Sequence, residues 1–110
     1  MTKFNEIPEM QIYIRDQVMF LAYVYEVMAD NLVSDTFWDK LALLVNPSLL
    51  DVKFHDEWFR KNYSPSTGSW VWNLPDGLDD EYEILYGRMY QGMDEASVEE
   101  NIQTAIGQRI

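Results

Sequence analysis

The sequence has no cysteine and a single histidine, His55, among its 110 residues. Without cysteine there is no disulfide framework, no thiolate nucleophile and no thiolate metal site. The Glu-x-x-His spacing of metal-binding helical bundles is also missing, because position 52 is Val52. Nor does the chain contain G-x-S-x-G, H-E-x-x-H or a glycine-rich phosphate loop. We therefore expect no cofactor and no bound metal.

Positive charge is scarce, with 8 Lys and Arg against 19 Asp and Glu and a net charge of -11. The imbalance is greater in residues 64–110, which hold nine acids and two bases, than in residues 1–63, which hold ten and six. Such a surface repels phosphate backbones and anionic membranes and attracts basic protein surfaces. We expect a basic protein surface as partner and no direct nucleic-acid binding. The competing explanation is that the charge only keeps the protein soluble.

Long apolar runs are absent as well. The start of the chain, MTKFNEIPEM, lacks the basic and apolar regions of a signal peptide, and no stretch approaches the roughly 20 apolar residues that span a bilayer. We expect a soluble, cytoplasmic protein without membrane contact. A hydrophobic content of 47% argues against disorder, and 110 residues suit one core, so residues 1–110 are expected to form a single domain.

The strongest helical pattern runs from Gln11 to Leu32. Apolar residues recur there every three or four positions, which places them on one helix face: Ile14, Val18, Leu21, Tyr25, Met28 and Leu32. A second apolar row lies beside the first: Tyr13, Phe20, Val24 and Val27. A helix this widely apolar needs cover on several sides, from the rest of the chain or from a second copy in a homo-oligomer.

Further helices follow along the chain. Pro8 suits the first turn of the first helix, and Ser34 or Asp35 should cap a second helix that ends before Pro47 and buries Phe37, Leu41 and Leu44. Residues 49–63 are predicted as a third helix, with Asn46 as its cap and Pro47 as its first position, and a break near Lys53 is the alternative. Residues 63–69 form a loop, and the alternation in SWVWNL predicts an extended segment at 69–74.

Two helices are predicted in the acidic half. The first is capped by Asp76 and Asp79, reaches about Tyr90, stops at Gly92 and buries Tyr82, Leu85, Tyr86 and Met89. The last starts at a capping box of Ser97 and Glu100 and buries Val98, Ile102, Ala105 and Ile106. The predicted fold is therefore mainly α, a small helical domain of four or five helices with one short extended segment near residues 69–74.

The candidate binding site is the acidic face of this half, made of Asp76, Asp79, Asp80, Glu81, Glu83, Asp94, Glu95, Glu99 and Glu100. Negative charge at a helix start is favoured by about 0.3–1 kcal/mol per group, which is one explanation of these acids. Like charges four residues apart repel each other, however, so a partner that uses the charge is the other explanation.

Aromatic residues surround the predicted loop: Trp58, Tyr63, Trp70 and Trp72. They form either a corner of the core or a recognition surface, and packing is the preferred interpretation, with at least one of Trp70 and Trp72 buried. His55, with Asp51 one turn earlier and Asp56 or Glu57 beside it, is the only candidate for acid–base or metal chemistry.

Three functional hypotheses follow. The first is a non-enzymatic acidic interaction protein, an inhibitor that mimics nucleic-acid charge and occupies a basic surface of a nuclease or DNA-binding protein. Small acidic inhibitors of restriction, repair or CRISPR proteins offer an analogy, and a phage origin would suit it. The second is a self-associating structural or assembly subunit, virion-assembly or chaperone-like, that uses the first helix. The third is an enzyme with carboxylates around His55.

Overall fold

The structure is a computed structural model that describes residues 8–45, 56–64 and 69–107. In these ranges the α-helices are α1 (Pro8–Met28), α2 (Asp35–Leu43), α3 (Asp56–Asn62), α4 (Leu78–Leu85) and α5 (Glu95–Ile106). Ser69–Asn73 form a 3₁₀-helix, and Tyr86–Tyr90 form a π-helix that continues α4. The prediction of a mainly helical fold is confirmed. The part of the third predicted helix before Asp56, with His55, lies outside the described residues.

Helix α1 supplies the centre of the core. Ile14, Val18 and Leu21 are buried as predicted, and Phe37 and Leu41 of α2 belong to the same cluster. The predicted row is wrong at Tyr25, which is 49% exposed. The helix also ends at Met28 rather than near Leu32. Ala29 has a φ of 56°, and the Asp30 N–H donates to the Val24 carbonyl at 3.2 Å, which closes the helix end.

The second apolar row of α1 is covered within one chain. Phe20 and Val24 are fully buried, while Tyr13 and Val27 pack against the core at its margin. The need to cover this row was the reason to expect a second copy of the chain. Within one chain the fold buries Phe20 and Val24 and leaves Tyr13 and Val27 partly exposed.

The core also contains two polar side chains that the apolar pattern does not predict. Gln11 and Arg15 are buried on α1, and Arg15 is only 1% exposed. Gln11 Nε2–H donates to the Leu44 carbonyl at 2.9 Å, and the Arg15 guanidinium lies 5.9 Å from the ring centre of Phe59. The Arg15 Nε lies 3.8 Å from Asp16 Oδ1. These contacts compensate for the removal of the two groups from water.

The aromatic corner between α3 and the 3₁₀-helix is mainly core. Phe59 is fully buried, its ring stacks on Tyr63 at 4.4 Å, and Trp70 meets both rings edge-on. The indole N–H of Trp58 donates to the Asn73 carbonyl at 2.7 Å. The packing interpretation therefore holds for Trp70, which is buried.

The extended segment predicted at 69–74 is wrong, because Ser69–Asn73 form a 3₁₀-helix. A strand would place Trp70 and Trp72 on one face, whereas three residues per turn bury Trp70 and Val71 and leave Trp72 63% exposed. None of the described residues forms a strand that could pair with this segment. A 3₁₀-turn satisfies backbone groups locally, and a lone strand does not.

The two C-terminal helices follow the prediction in extent but not in detail. The helix that starts at Leu78 reaches Tyr90 as predicted, but its last turn is a π-helix. This wider turn points Tyr90 inward, with its ring 5.0 Å from that of Phe20, and leaves Met89 exposed. In α5, Val98, Ile102 and Ile106 are buried as predicted, whereas Ala105 is exposed.

Candidate functional site

The nine predicted site carboxylates divide between the starts of α4 and α5. Eight of the nine residues are exposed, and Glu99 is partly buried. The first group, which we call the α4 acidic face, consists of Asp76, Asp79, Asp80, Glu81 and Glu83. The second group, on α5, consists of Asp94, Glu95, Glu99 and Glu100.

Helix α4 begins without a side-chain cap. Its N-cap is Gly77, whose φ of 87° lies in the left-handed region that favours glycine, and no side chain bonds the first amides. The prediction that Asp76 caps this helix is therefore wrong. Asp76 lies in the preceding turn, closed by the Leu78 N–H to Pro75 carbonyl bond of 3.2 Å, and its side chain is exposed. The carboxylates at the start of α4 repel one another, and the helix dipole offsets part of this repulsion.

Three carboxylates of the α4 acidic face affect the pKa of one side chain of α1, Tyr23. Burial raises the pKa of Tyr23 above its ordinary value, and the nearby charges of Glu83, Asp79 and Asp80 raise it further, in that order. The rings of Tyr23 and Tyr82 lie 5.6 Å apart, which packs α4 against α1. The packing of α4 on α1 thus brings the three carboxylates near enough to Tyr23 to disfavour ionisation of its hydroxyl.

A shallow groove borders this charged region, and we call it the Trp72 groove. Its volume is about 230 Å³, and it is lined by Tyr23, Val27, Val71, Trp72, Leu74, Pro75, Asp76, Gly77 and Asp79. Trp72 makes no hydrogen bond within the described part of the chain, unlike Trp58 and Trp70, whose indole N–H groups donate to backbone carbonyls. The groove therefore places an available indole beside two carboxylates.

On α5, two of the four carboxylates have structural roles, one local and one tertiary. Asp94 is the N-cap, and its carboxylate accepts from the Ser97 N–H at 2.8 Å, so the predicted capping box at Ser97 is wrong. Hydrogen bonds from Ser97, chiefly from its side chain, hold the pKa of Asp94 below its usual value. Glu99 Oε2 accepts from the Ser34 N–H at 2.8 Å, at the start of α2. Glu95 and Glu100 are exposed, and neither makes a side-chain hydrogen bond or an ion pair within the described ranges.

A metal site, an enzyme site around His55 and a membrane-spanning helix were also considered in the sequence. Across the described ranges, no group of three or more His, Asp or Glu side chains is placed to hold a metal ion. His55, on which the enzyme hypothesis depends, lies outside those ranges. Of the helical segments that the structure describes, none has both the length and the apolar character that a bilayer crossing requires.

Comparison with known proteins gives no relative: no protein-family model, no curated protein and no solved structure matches this chain.

Sequence reasoning offered recognition by Trp72 only as the alternative to packing, and it missed that Tyr23 lies near the acids of α4. Tyr23 stood between the two predicted apolar rows of α1 and was assigned to neither. A signal for Trp72 was available, since a turn of Pro75, Asp76 and Gly77 begins three residues later and limits how much of the segment can be covered.

Proposed function

We propose that this chain is a non-enzymatic interaction protein that binds a basic surface of another protein through the α4 acidic face. The observation that carries the proposal is the Trp72 groove, where Asp76 and Asp79 lie beside the exposed indole of Trp72. Asp80 and Glu83 extend the same negative charge along α4, and with Asp79 they raise the pKa of Tyr23. Fixed carboxylates attract a basic partner over distance, and an exposed tryptophan supplies contact area once the partner has docked.

The local charge balance supports this role. Within residues 69–107 the only basic residue is Arg88, and no ion pair involves the α4 acidic face in the described ranges. No ion pair within the described ranges therefore neutralises the α4 acidic face. A stabilising role at the start of α4 accounts for part of the negative charge, but Glu83 lies beyond the first turn, where the dipole has little effect.

A regular display of carboxylates on a helix can imitate the phosphates of a nucleic acid, so the basic groove of a nuclease or DNA-binding protein is the partner we favour. Such a groove is already adapted to bind negative charge. It would bind the acidic face in place of its nucleic acid, and the chain would act as an inhibitor.

The test compares three baits in pull-downs from the native host, read by quantitative mass spectrometry. The first is the parent chain, and the second is Asp80→Asn with Glu83→Gln. The control, Glu95→Gln with Glu100→Gln, removes the same charge from α5. We expect a basic, nucleic-acid-binding protein that is retained by the parent and the control and depleted with the α4 variant.

Association rates of the captured protein then provide the physical check. They should fall steeply as salt rises, because charges are screened beyond about 8 Å at physiological ionic strength. Duplex DNA should compete for the captured protein, and Trp72→Ala should mainly speed dissociation. Equal capture by all three baits, or rates insensitive to salt and to DNA, would leave the acids as solubility features.

A further inference from the structure

A second concave surface lies on the other side of α1, between the end of that helix and α2, and we call it the Trp38 pocket. Its volume is about 280 Å³. Leu21, Ala22, Leu32 and Val33 supply its apolar part, and two aromatic rings, Tyr25 and Trp38, lie beside them. It shares no lining residue with the Trp72 groove.

Three carboxylates also line the pocket, and they come from two different helices. Glu26 lies near the end of α1, while Asp35 and Asp39 lie one turn apart on α2. No ion pair joins any of the three to a base in the part of the chain that the structure describes. Like charges four residues apart on a helix repel each other, so Asp35 and Asp39 gain from a cation between them.

Two aromatic side chains, Tyr25 and Trp38, line the pocket, and a hydrogen bond to the core fixes the second. The indole N–H of Trp38 donates to the Val18 carbonyl at 3.2 Å, which anchors the half-buried ring on the core. Tyr25 is 49% exposed although it follows the buried row of α1. Both rings are therefore available at the pocket without any rearrangement of the core.

We propose that the Trp38 pocket binds one arginine side chain of a partner protein. The cavity is smaller than the roughly 300–1,000 Å³ typical of small-molecule sites, which suits a single side chain. A guanidinium stacks on aromatic rings and donates several N–H bonds to carboxylates in one plane, whereas the lysine ammonium is a more strongly hydrated point charge. The apolar floor covers the methylene stem of arginine.

The probe for this pocket is N-acetyl-arginine N-methylamide, titrated into the ¹⁵N-labelled chain and followed by NMR. Saturable shifts are expected at the Trp38 indole N–H and at the backbone amides of Asn31 and Val33, with a dissociation constant of about 1 mM for so small a ligand. The citrulline analogue, which has nearly the same shape and no charge, should produce no saturable shift.

Two double variants locate the binding. Glu26→Gln with Asp39→Asn should weaken binding of the arginine probe about tenfold, because it removes two charges that face the cation. Asp80→Asn with Glu83→Gln removes the same charge from the α4 acidic face and should leave binding unchanged. Unchanged amide spectra away from the substitutions would show that both variants are folded.

The proposal is overturned if arginine and citrulline shift the same resonances equally, if the shifts do not saturate, or if the Glu26 and Asp39 variant binds as the parent does. It is equally overturned if only the Asp80 and Glu83 variant loses binding. These results concern the Trp38 pocket alone and do not decide whether the α4 acidic face has its own partner.

Discussion

The hydrogen bond from Ser34 to Glu99 gives the sharpest test of how this fold uses its acids. Glu99 Oε2 accepts the Ser34 N–H at 2.8 Å across 65 residues of sequence. Ser34 is the N-cap of α2, and its own hydroxyl accepts the Phe37 N–H at 3.1 Å. Glu99 therefore completes, from α5, the capping arrangement that a local glutamate often provides. One of the nine acids thus has a tertiary role.

We expect Glu99→Ala to lower the free energy of unfolding by about 1–2 kcal/mol. A hydrogen bond to a charged group contributes about 1.5–3 kcal/mol, and partial exposure of this bond places it toward the lower end. Unfolding entropy is about 2.1 cal/mol/K per residue, which amounts to about 230 cal/mol/K for 110 residues. The expected decrease in melting temperature is therefore about 4–9 °C.

The matched control is Glu100→Ala, because Glu100 is exposed, adjacent and on the same helix. Both substitutions remove one negative charge and bring the same gain in helix propensity, so these effects cancel in the comparison. The control should change stability by less than about 0.5 kcal/mol. Thermal unfolding followed by circular dichroism measures both, and equal melting temperatures for the two variants would refute a structural role for Glu99.

Three further substitutions test the core, one tertiary hydrogen bond and one helix cap. Leu21→Ala should lower the free energy of unfolding in denaturant by about 2–5 kcal/mol, since Leu21 is buried in the middle of α1, and a change below about 0.5 kcal/mol would contradict that placement. Tyr63→Phe removes the bond from the Tyr63 hydroxyl to the Ala42 carbonyl, 2.8 Å long, and should cost about 0.5–1.5 kcal/mol in the same assay; parent-like stability would mean that the bond contributes nothing. Asp94→Ala should reduce the melting temperature at neutral pH. Because Ser97 holds the pKa of Asp94 below its usual 3.8, the stabilisation is present above that value and is lost as the pH falls through the folded pKa, so melting curves of variant and parent should converge in acid; a gap that does not depend on pH would contradict the role of the charged cap.

The helical periodicity of α1 and α5 was readable from the sequence because it depends on local geometry. Ile14, Val18 and Leu21 repeat every three or four residues, as do Val98 and Ile102, and all five are buried. The same reasoning failed for SWVWNL, where alternation over six residues predicts a strand. Trp70 and the next residue, Val71, are both buried in one core, and a helical turn allows this whereas successive side chains of a strand point to opposite faces.

Of the candidate sites, the sequence indicated the acids but not their roles. Asp94 and Glu99 look like the other acids in the sequence, yet one caps α5 and the other reaches the start of α2. The Trp38 pocket was not predicted at all, because Glu26 and Asp39 belong to different helices and meet only when α1 and α2 pack together.

By itself, the sequence determined the helical class, the apolar face of α1 and the excess of negative charge in the second half. These properties follow from composition and from the spacing of residues along one chain, so no long-range contact is needed to produce them. Only the tertiary structure decided that Arg15 is buried, that Trp72 is exposed and that three carboxylates of α4 raise the pKa of Tyr23 on α1. Burial and electrostatic field depend on which elements pack against a side chain, and that packing joins residues far apart in sequence.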